Sequence, residues 1–162
     1  MDDKLAILEQ IMPKAMLRAL TVEAIEATPP ECIVDDLIAI HDFPFKVGRE
    51  SRVAEINGRM EPIERPKREG DYRPVNDIYL LDRGELLNIS REHFQIERRD
   101  EGFYLIDRGS VCGTKIDEVS VGGKNVGGES KLKDGDVIGV GAKGTPYFYR
   151  FISFVEYKVS KS

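Results

Sequence analysis

Two hydrophobic periodicities follow one another along the chain. From Asp2 to about Ala27 the apolar residues Leu5, Leu8, Met12, Ala15 or Met16, Ala19 and Val22 recur at steps of three and four, the spacing of one helix face. Pro13 interrupts the stripe, so a kinked helix or two helices are expected, with proline in the first turn of the second. Thr28-Pro29-Pro30 ends it. Such a stripe either packs on a neighbouring domain or serves partner binding or self-association through the N-terminal helices. Packing is the preferred reading.

Beyond Pro30 the pattern changes to short runs rich in β-branched and aromatic residues, cut by glycine, aspartate and asparagine. Strands are expected at Cys32–Ile40, Phe45–Arg49, Asp77–Leu81, His93–Glu97, Phe103–Asp107, Thr114–Ile116, Val119–Val121, Val137–Val140 and Tyr147–Tyr157. Closely spaced strands with tight turns suit two packed antiparallel sheets. Residues 1–30 are therefore read as a helical extension and linker, and 31–158 as an all-β sandwich domain. Glu50–Val75 is polar, holds Pro62, Pro66 and Pro74, and shows no sustained period, so it reads as a long mobile loop inserted at 50–75. The glycine cluster Gly122–Gly128 lacks the Lys-Ser/Thr pair and following helix of a phosphate loop, and reads as hairpin turns.

Charge and composition narrow the function. A net charge of −5 argues against a nucleic-acid or anionic-membrane binder. Arg52, Arg59, Arg65, Lys67, Arg68 and Arg73 form a local basic stretch, but acidic residues interleave with it, as on a solvated loop. No apolar run approaches the roughly 20 residues of a membrane span, and the acidic start does not resemble a signal peptide, so a cytoplasmic protein is expected. Cys32 and Cys112 are read as reduced thiols without metal-ligand spacing. No nucleophile with a paired base, metal cluster or convergent carboxylates is visible, so neither catalysis nor a cofactor nor a metal is expected.

The remaining signal is an ordered set of motifs. Phe45-Lys46-Val47-Gly48-Arg49 is followed by Asn76-Asp77-Ile78-Tyr79-Leu80, Ser90-Arg91-Glu92-His93-Phe94, Leu105-Ile106-Asp107, Gly113-Thr114 and Lys133-Asp134-Gly135-Asp136-Val137-Ile138-Gly139. An arginine closing a strand and a serine opening a loop can converge at one end of a sandwich. There they can hold a phosphate, which arginine meets with a planar fork and serine with a hydroxyl.

In this order, over about Cys32 to Tyr157, the motifs resemble the forkhead-associated (FHA) family. The resemblance implies an FHA-like β-sandwich of about eleven strands that binds phosphothreonine peptides with loops at one end. It implies a non-catalytic module serving Ser/Thr kinase signalling, whose partner is a phosphothreonine-containing protein. Carried across, Arg49 and Ser90 are the implied phosphate ligands and Arg91 a supporting contact. Val111 and Cys112, just before Gly113-Thr114, belong to the implied peptide-binding loop. Gly48, His93, Gly113 and Thr114 are its implied structural support, with His93 bracing rather than catalytic.

Two positions depart from the family. Cys112 stands where it usually has an asparagine that hydrogen-bonds the peptide backbone, a loss of about 1–3 kcal/mol, or roughly 5- to 150-fold in affinity. Asp117 replaces a later asparagine and brings a charge near the ligand if it points inward. The departures motivate a competing reading, an FHA-like docking component with lost or reduced phosphate dependence. The insertion at Glu50–Val75 and the lengthened stretch Arg83–Ile89 are expected to touch the rim. By analogy with N-terminal threonine switches, Thr21 or Thr28 could be phosphorylated and captured by the domain itself, although a helix stop explains Thr28 more simply.

Overall fold

The computed structural model of the protein describes residues 3–51, 53–62 and 75–155. Helix α1 (Asp3–Ile11) stops just before Pro13 and buries no residue, leaving Ile7, Leu8 and Ile11 exposed. Among the described residues thirteen strands follow: β1 (Ala15–Ala19), β2 (Leu37–Ile40), β3 (Phe45–Arg49), β4 (Val53–Ile56), β5 (Arg59–Pro62), β6 (Ile78–Leu80), β7 (Phe94–Arg99), β8 (Gly102–Asp107), β9 (Thr114–Ile116), β10 (Val119–Gly122), β11 (Gly128–Leu132), β12 (Val137–Val140) and β13 (Phe148–Ser153). A second helix, α2 (Val22–Ala27), lies between β1 and β2. Eleven of the strands build two sheets, ordered β10-β9-β12-β13-β1-β2 and β11-β8-β7-β3-β6, while β4 and β5 pair with each other. The result is a two-sheet β-sandwich with a short helical N-terminal segment.

Alternation explains the two layers. In β8, Phe103, Leu105 and Asp107 face inward between less buried neighbours, and in β1 Ala15, Leu17 and Ala19 do the same. The two sheets meet through these inner residues, with the Phe103 and Phe151 rings edge-to-face at 5.0 Å between centroids.

The structure corrects the N-terminal reading. Ala15–Ala19 is a strand, hydrogen-bonded to β13 on one side and β2 on the other. Ala15 and Ala19 are four apart, so they satisfy a helical stripe and a two-residue alternation equally, and strand pairing decides between them. The sandwich therefore takes in residues on the N-terminal side of Pro30. Packing does describe α2, which buries Ala24 and Ala27 and receives the Tyr149 hydroxyl on Ala24 O at 3.2 Å. Both N-terminal threonine hydroxyls are used internally. Thr21 N-caps α2 and donates to Pro146 O at 2.5 Å, and buried Thr28 donates to Ala24 O at 2.8 Å.

Further corrections concern loops. Pro30–Cys32 is a 3₁₀ turn, so the strand expected from Cys32 begins only at Leu37. The stretch read as a long mobile loop holds the β4–β5 hairpin, turning at Asn57-Gly58 with both residues at positive φ, a tight-turn signal hidden among the surrounding charges. Residues 63–74 lie outside the described residues, as do the side chains of most of the basic stretch. The long connection from Arg49 to Ile78 lets β3 and β6 run parallel, the one departure from antiparallel pairing between the named strands. Strand β11 was also unexpected. Only Leu132 of its residues is buried, so it lacks an apolar signature and is held at the sheet edge by pairing with β8.

Two variants test where the domain begins. Leu17→Ala, truncating a fully buried side chain of β1, is expected to lower the unfolding free energy by about 2–5 kcal/mol. Removing residues 1–11 is expected to change it by less than about 1 kcal/mol, since α1 buries nothing. Urea unfolding measures both, and a negligible effect of Leu17→Ala would contradict the place of β1 in the core.

Candidate anion-binding site

Strand register brings four segments together at one end of the sandwich. Val47 pairs with Phe94, Phe94 with Asp107, and Asp107 with Gly128. The end of β3, the approach to β7, the β8–β9 loop and the β10–β11 turn are thus neighbours.

Gly48 permits the closest of these approaches. A Cβ there would lie 2.0 Å from Arg91 O, so only glycine lets β3 run against the Ser90-Arg91 segment. The next residue, Arg49, donates its main-chain N–H to Ser90 O at 3.0 Å. Its side chain is buried, with Nε donating to Ile89 O at 2.7 Å and Nη1 to Glu50 O at 3.2 Å. Two main-chain acceptors therefore set the guanidinium plane before any ligand arrives.

His93 joins Ser90 to the β8–β9 loop. Ser90 N–H donates to Nδ1 at 3.0 Å, so the ring proton resides on Nε2, which donates to Gly113 O at 2.8 Å. Burial lowers the imidazole pKa, opposed by the Gly113 carbonyl and by the charges of Asp107 and Asp82. The neutral ring is the form that both hydrogen bonds require. Ser90 Oγ then accepts the Val111 N–H at 3.0 Å, which leaves the hydroxyl proton to donate.

Asp107 shapes the β8–β9 loop from below. Oδ1 accepts the N–H groups of Gly109 and Ser110 at 3.0 and 2.8 Å, and Oδ2 accepts the hydroxyls of Ser110 and Thr114 at 2.6 and 2.7 Å. Ser110 Oγ in turn accepts Gly113 N–H at 3.0 Å. Gly113 has φ +91°, and a Cβ there would meet Gly122 O at 2.4 Å. The lengthened Arg83–Ile89 stretch is likewise folded on a carboxylate. Asp82 accepts the N–H groups of Gly84, Asn88 and Ile89 at 3.1, 2.7 and 3.0 Å, and the Tyr147 hydroxyl at 2.8 Å.

These supports enclose a cavity of about 290 Å³ lined by Arg49, Ser90, Arg91, Glu92, Arg108, Gly109, Val111 and Asn125. Three guanidinium-bearing residues face one carboxylate-bearing residue, a local positive excess in a chain of net charge −5. Asn76 fixes part of this set, donating Nδ2 to Arg91 O at 2.8 Å and accepting Arg108 Nη1 on Oδ1. Arg108 Nη2 also donates to Val75 O at 3.2 Å. A larger hollow of about 610 Å³ near α1 mixes Glu9, Lys14, His41, Asp42 and Arg98, and no single chemistry converges there.

Of the expected binding residues, Arg49, Ser90, Arg91 and Val111 line the cavity, and Gly48, His93, Gly113 and Thr114 form its frame. Cys112 does neither: its thiol donates to Leu87 O at 3.3 Å, turned toward the Arg83–Ile89 stretch, because that lengthened loop offers an acceptor beside it. Asp117 lies in the β9–β10 turn, exposed, accepting Val137 N–H at 3.0 Å, and does not line the cavity. Arg108 and Asn125 were not anticipated. A lone arginine after Asp107 and an asparagine among turn glycines carry no signal until the fold brings them together.

The frame has two measurable consequences. Asp107→Ala strands two main-chain and two hydroxyl donors and is expected to cost at least about 3 kcal/mol in urea unfolding. A folded-state imidazole pKa below the unfolded value means that the native chain binds fewer protons between the two. His93 therefore contributes stability that is complete above the unfolded value, near 6.5, and is lost as pH falls below it toward the depressed folded value. Unfolding free energies at pH 7.5 and 5.5 should differ more in the native sequence than in His93→Gln; equal differences would contradict this.

Among the described residues, no helix is long and apolar enough to cross a membrane. No curated protein matches the chain. Among solved structures, the solution structure of the FHA domain of an Arabidopsis thaliana hypothetical protein is similar, at 19% identity and a TM-score of 0.48, covering 93% of this chain and 91% of that one. The FHA-domain family model matches residues 56–141, more than half of the chain, taking in Ser90 through Thr114 but beginning after Arg49. The chain thus belongs to the forkhead-associated domain family, phosphopeptide-binding modules that are generally non-catalytic.

Proposed function

We propose that the protein is a non-catalytic reader of phosphothreonine peptides made by Ser/Thr kinases, with the phosphate seated among Arg49, Ser90, Arg91 and Arg108. The observation that carries this reading is the Ser90 hydroxyl. It accepts the Val111 N–H, keeps a proton to donate, and borders the cavity where the guanidinium residues gather. A phosphomonoester brings about −1.5 to −2 charges and three strong acceptor oxygens, which suit this set of donors. The same geometry disfavours catalysis. Both nitrogens of His93 are engaged in the frame, and the Cys112 thiol faces away from the cavity.

Val111 supports threonine over serine. It is an exposed apolar side chain on the wall of a cationic cavity, suited to cover the methyl group that phosphothreonine has and phosphoserine lacks. One such contact is worth about 0.8 kcal/mol, or roughly fourfold in affinity. Val111→Ser is expected to erase that part of the preference, measured with a matched phosphothreonine and phosphoserine peptide pair.

The competing reading is phosphate-independent docking, favoured by the turning of Cys112 away from the cavity. A degenerate phosphothreonine peptide library, with unphosphorylated and phosphoserine controls, separates the two. Arg49→Ala and Ser90→Ala are each expected to weaken phosphothreonine binding by roughly 10-fold or more. Binding that ignores phosphorylation and survives Arg49→Ala in a folded protein would establish docking instead.

A further inference from the structure

The β10–β11 turn places Asn125 at the cavity, and no described residue takes up its carboxamide in a hydrogen bond. Residues 123–126 form a tight turn closed by Val126 N–H on Gly123 O at 3.1 Å, with Lys124 and Asn125 at φ +55° and +63°. Main-chain bonds fasten the turn to the β8–β9 loop: Lys124 N–H donates to Val111 O at 2.9 Å and Asn125 N–H to Ser110 O at 3.0 Å. Asn125 is thereby held in register with the Ser90–Val111 pair. It lines the same cavity as Ser90 and the arginines, and its side chain makes no hydrogen bond with any described residue. Asn76 offers the contrast, since both ends of its carboxamide are taken, by Arg91 O and Arg108.

Asparagine tolerates a left-handed backbone better than most residues, which explains its place in the turn. Glycine would satisfy that φ with no side chain at all. What the turn does not explain is a carboxamide on the cavity wall. Once a phosphate has taken the cationic side, the nearest remaining polar groups of a peptide ligand are its main-chain amides. Each offers one N–H and one C=O, and a carboxamide complements both while adding no charge that would compete for or repel the phosphate.

We infer that Asn125 is a positioning residue for the ligand main chain, donating Nδ2–H to a peptide carbonyl and accepting a peptide N–H on Oδ1 beside the phosphothreonine. It supplies the backbone contact that Cys112, bonded to Leu87, does not. The inference rests on the phosphothreonine-reader reading of the same cavity.

The test uses Asn125→Gly, which keeps the turn conformation and removes the carboxamide. The probes are the best phosphothreonine peptide from the library and variants in which each amide flanking the phosphothreonine is replaced in turn by an ester. An ester lacks the N–H and weakens the carbonyl as an acceptor. Asn125→Gly is expected to bind the parent peptide about 5- to 30-fold more weakly, the loss of one or two neutral hydrogen bonds. One ester should weaken binding to the native protein several-fold and leave Asn125→Gly nearly unaffected. Parent binding within about twofold of the native protein, or ester losses equal in both proteins, overturns the inference even where Arg49→Ala abolishes binding. Failure of the native protein to prefer the phosphorylated peptide overturns the reader reading, and this inference with it.

Discussion

The neutral imidazole of His93 is the interaction on which the binding end depends. It is completely buried and has one acceptor and one donor nitrogen, each satisfied by the main chain of a different loop. A buried polar ring without both partners would be costly, so the ring enforces a fixed separation between Ser90 and Gly113. Several of the groups at the cavity are referenced to that separation. Ser90 presents its hydroxyl to Val111, Val111 fixes Lys124, and Arg49 takes its place against the carbonyls of Ile89 and Ser90. Asp107 acts alongside the imidazole by closing the loop that carries Gly113.

This arrangement puts the cost of order into folding rather than binding. Arg49 and Ser90 are held by main-chain contacts of the fold itself, so less conformational freedom remains to be lost when a phosphate binds. Glycine at position 48 is part of the same economy, because the strand could not otherwise lie close enough to the Ser90-Arg91 segment. The surrounding chain is acidic while the cavity concentrates arginine. A local arginine excess on a chain of net negative charge favours selective capture of an anionic group over broad polyanion binding.

How much of this was legible in the sequence follows from the kind of constraint involved. Gly48, Arg49, Ser90, His93 and Gly113-Thr114 stand at strand ends where backbone contacts dictate residue type, so an ordered motif reveals them. The two sheets were legible through alternation, as in β8. Ala15–Ala19 reads as helical because small residues four apart fit either period, and only its pairing with β2 and β13 makes it a strand. Strand β11 has almost no buried side chain to report it. Arg108 and Asn125 are remote from Arg49 along the chain, and their convergence arises from register between strands. The consequence of Cys112 was equally hidden, since the thiol's direction depends on the path of the Arg83–Ile89 stretch.

The most direct test of the central claim is a nuclear magnetic resonance titration of the ¹⁵N-labelled protein with one phosphothreonine peptide and its unphosphorylated twin. The account predicts saturable shifts from the phosphorylated peptide, concentrated on the amides of Ser90, Arg91, Val111 and Asn125 and on Arg49 Nε, with little response to the twin. Equal responses to both peptides, or phosphate-dependent shifts centred away from this end of the sandwich, would contradict it.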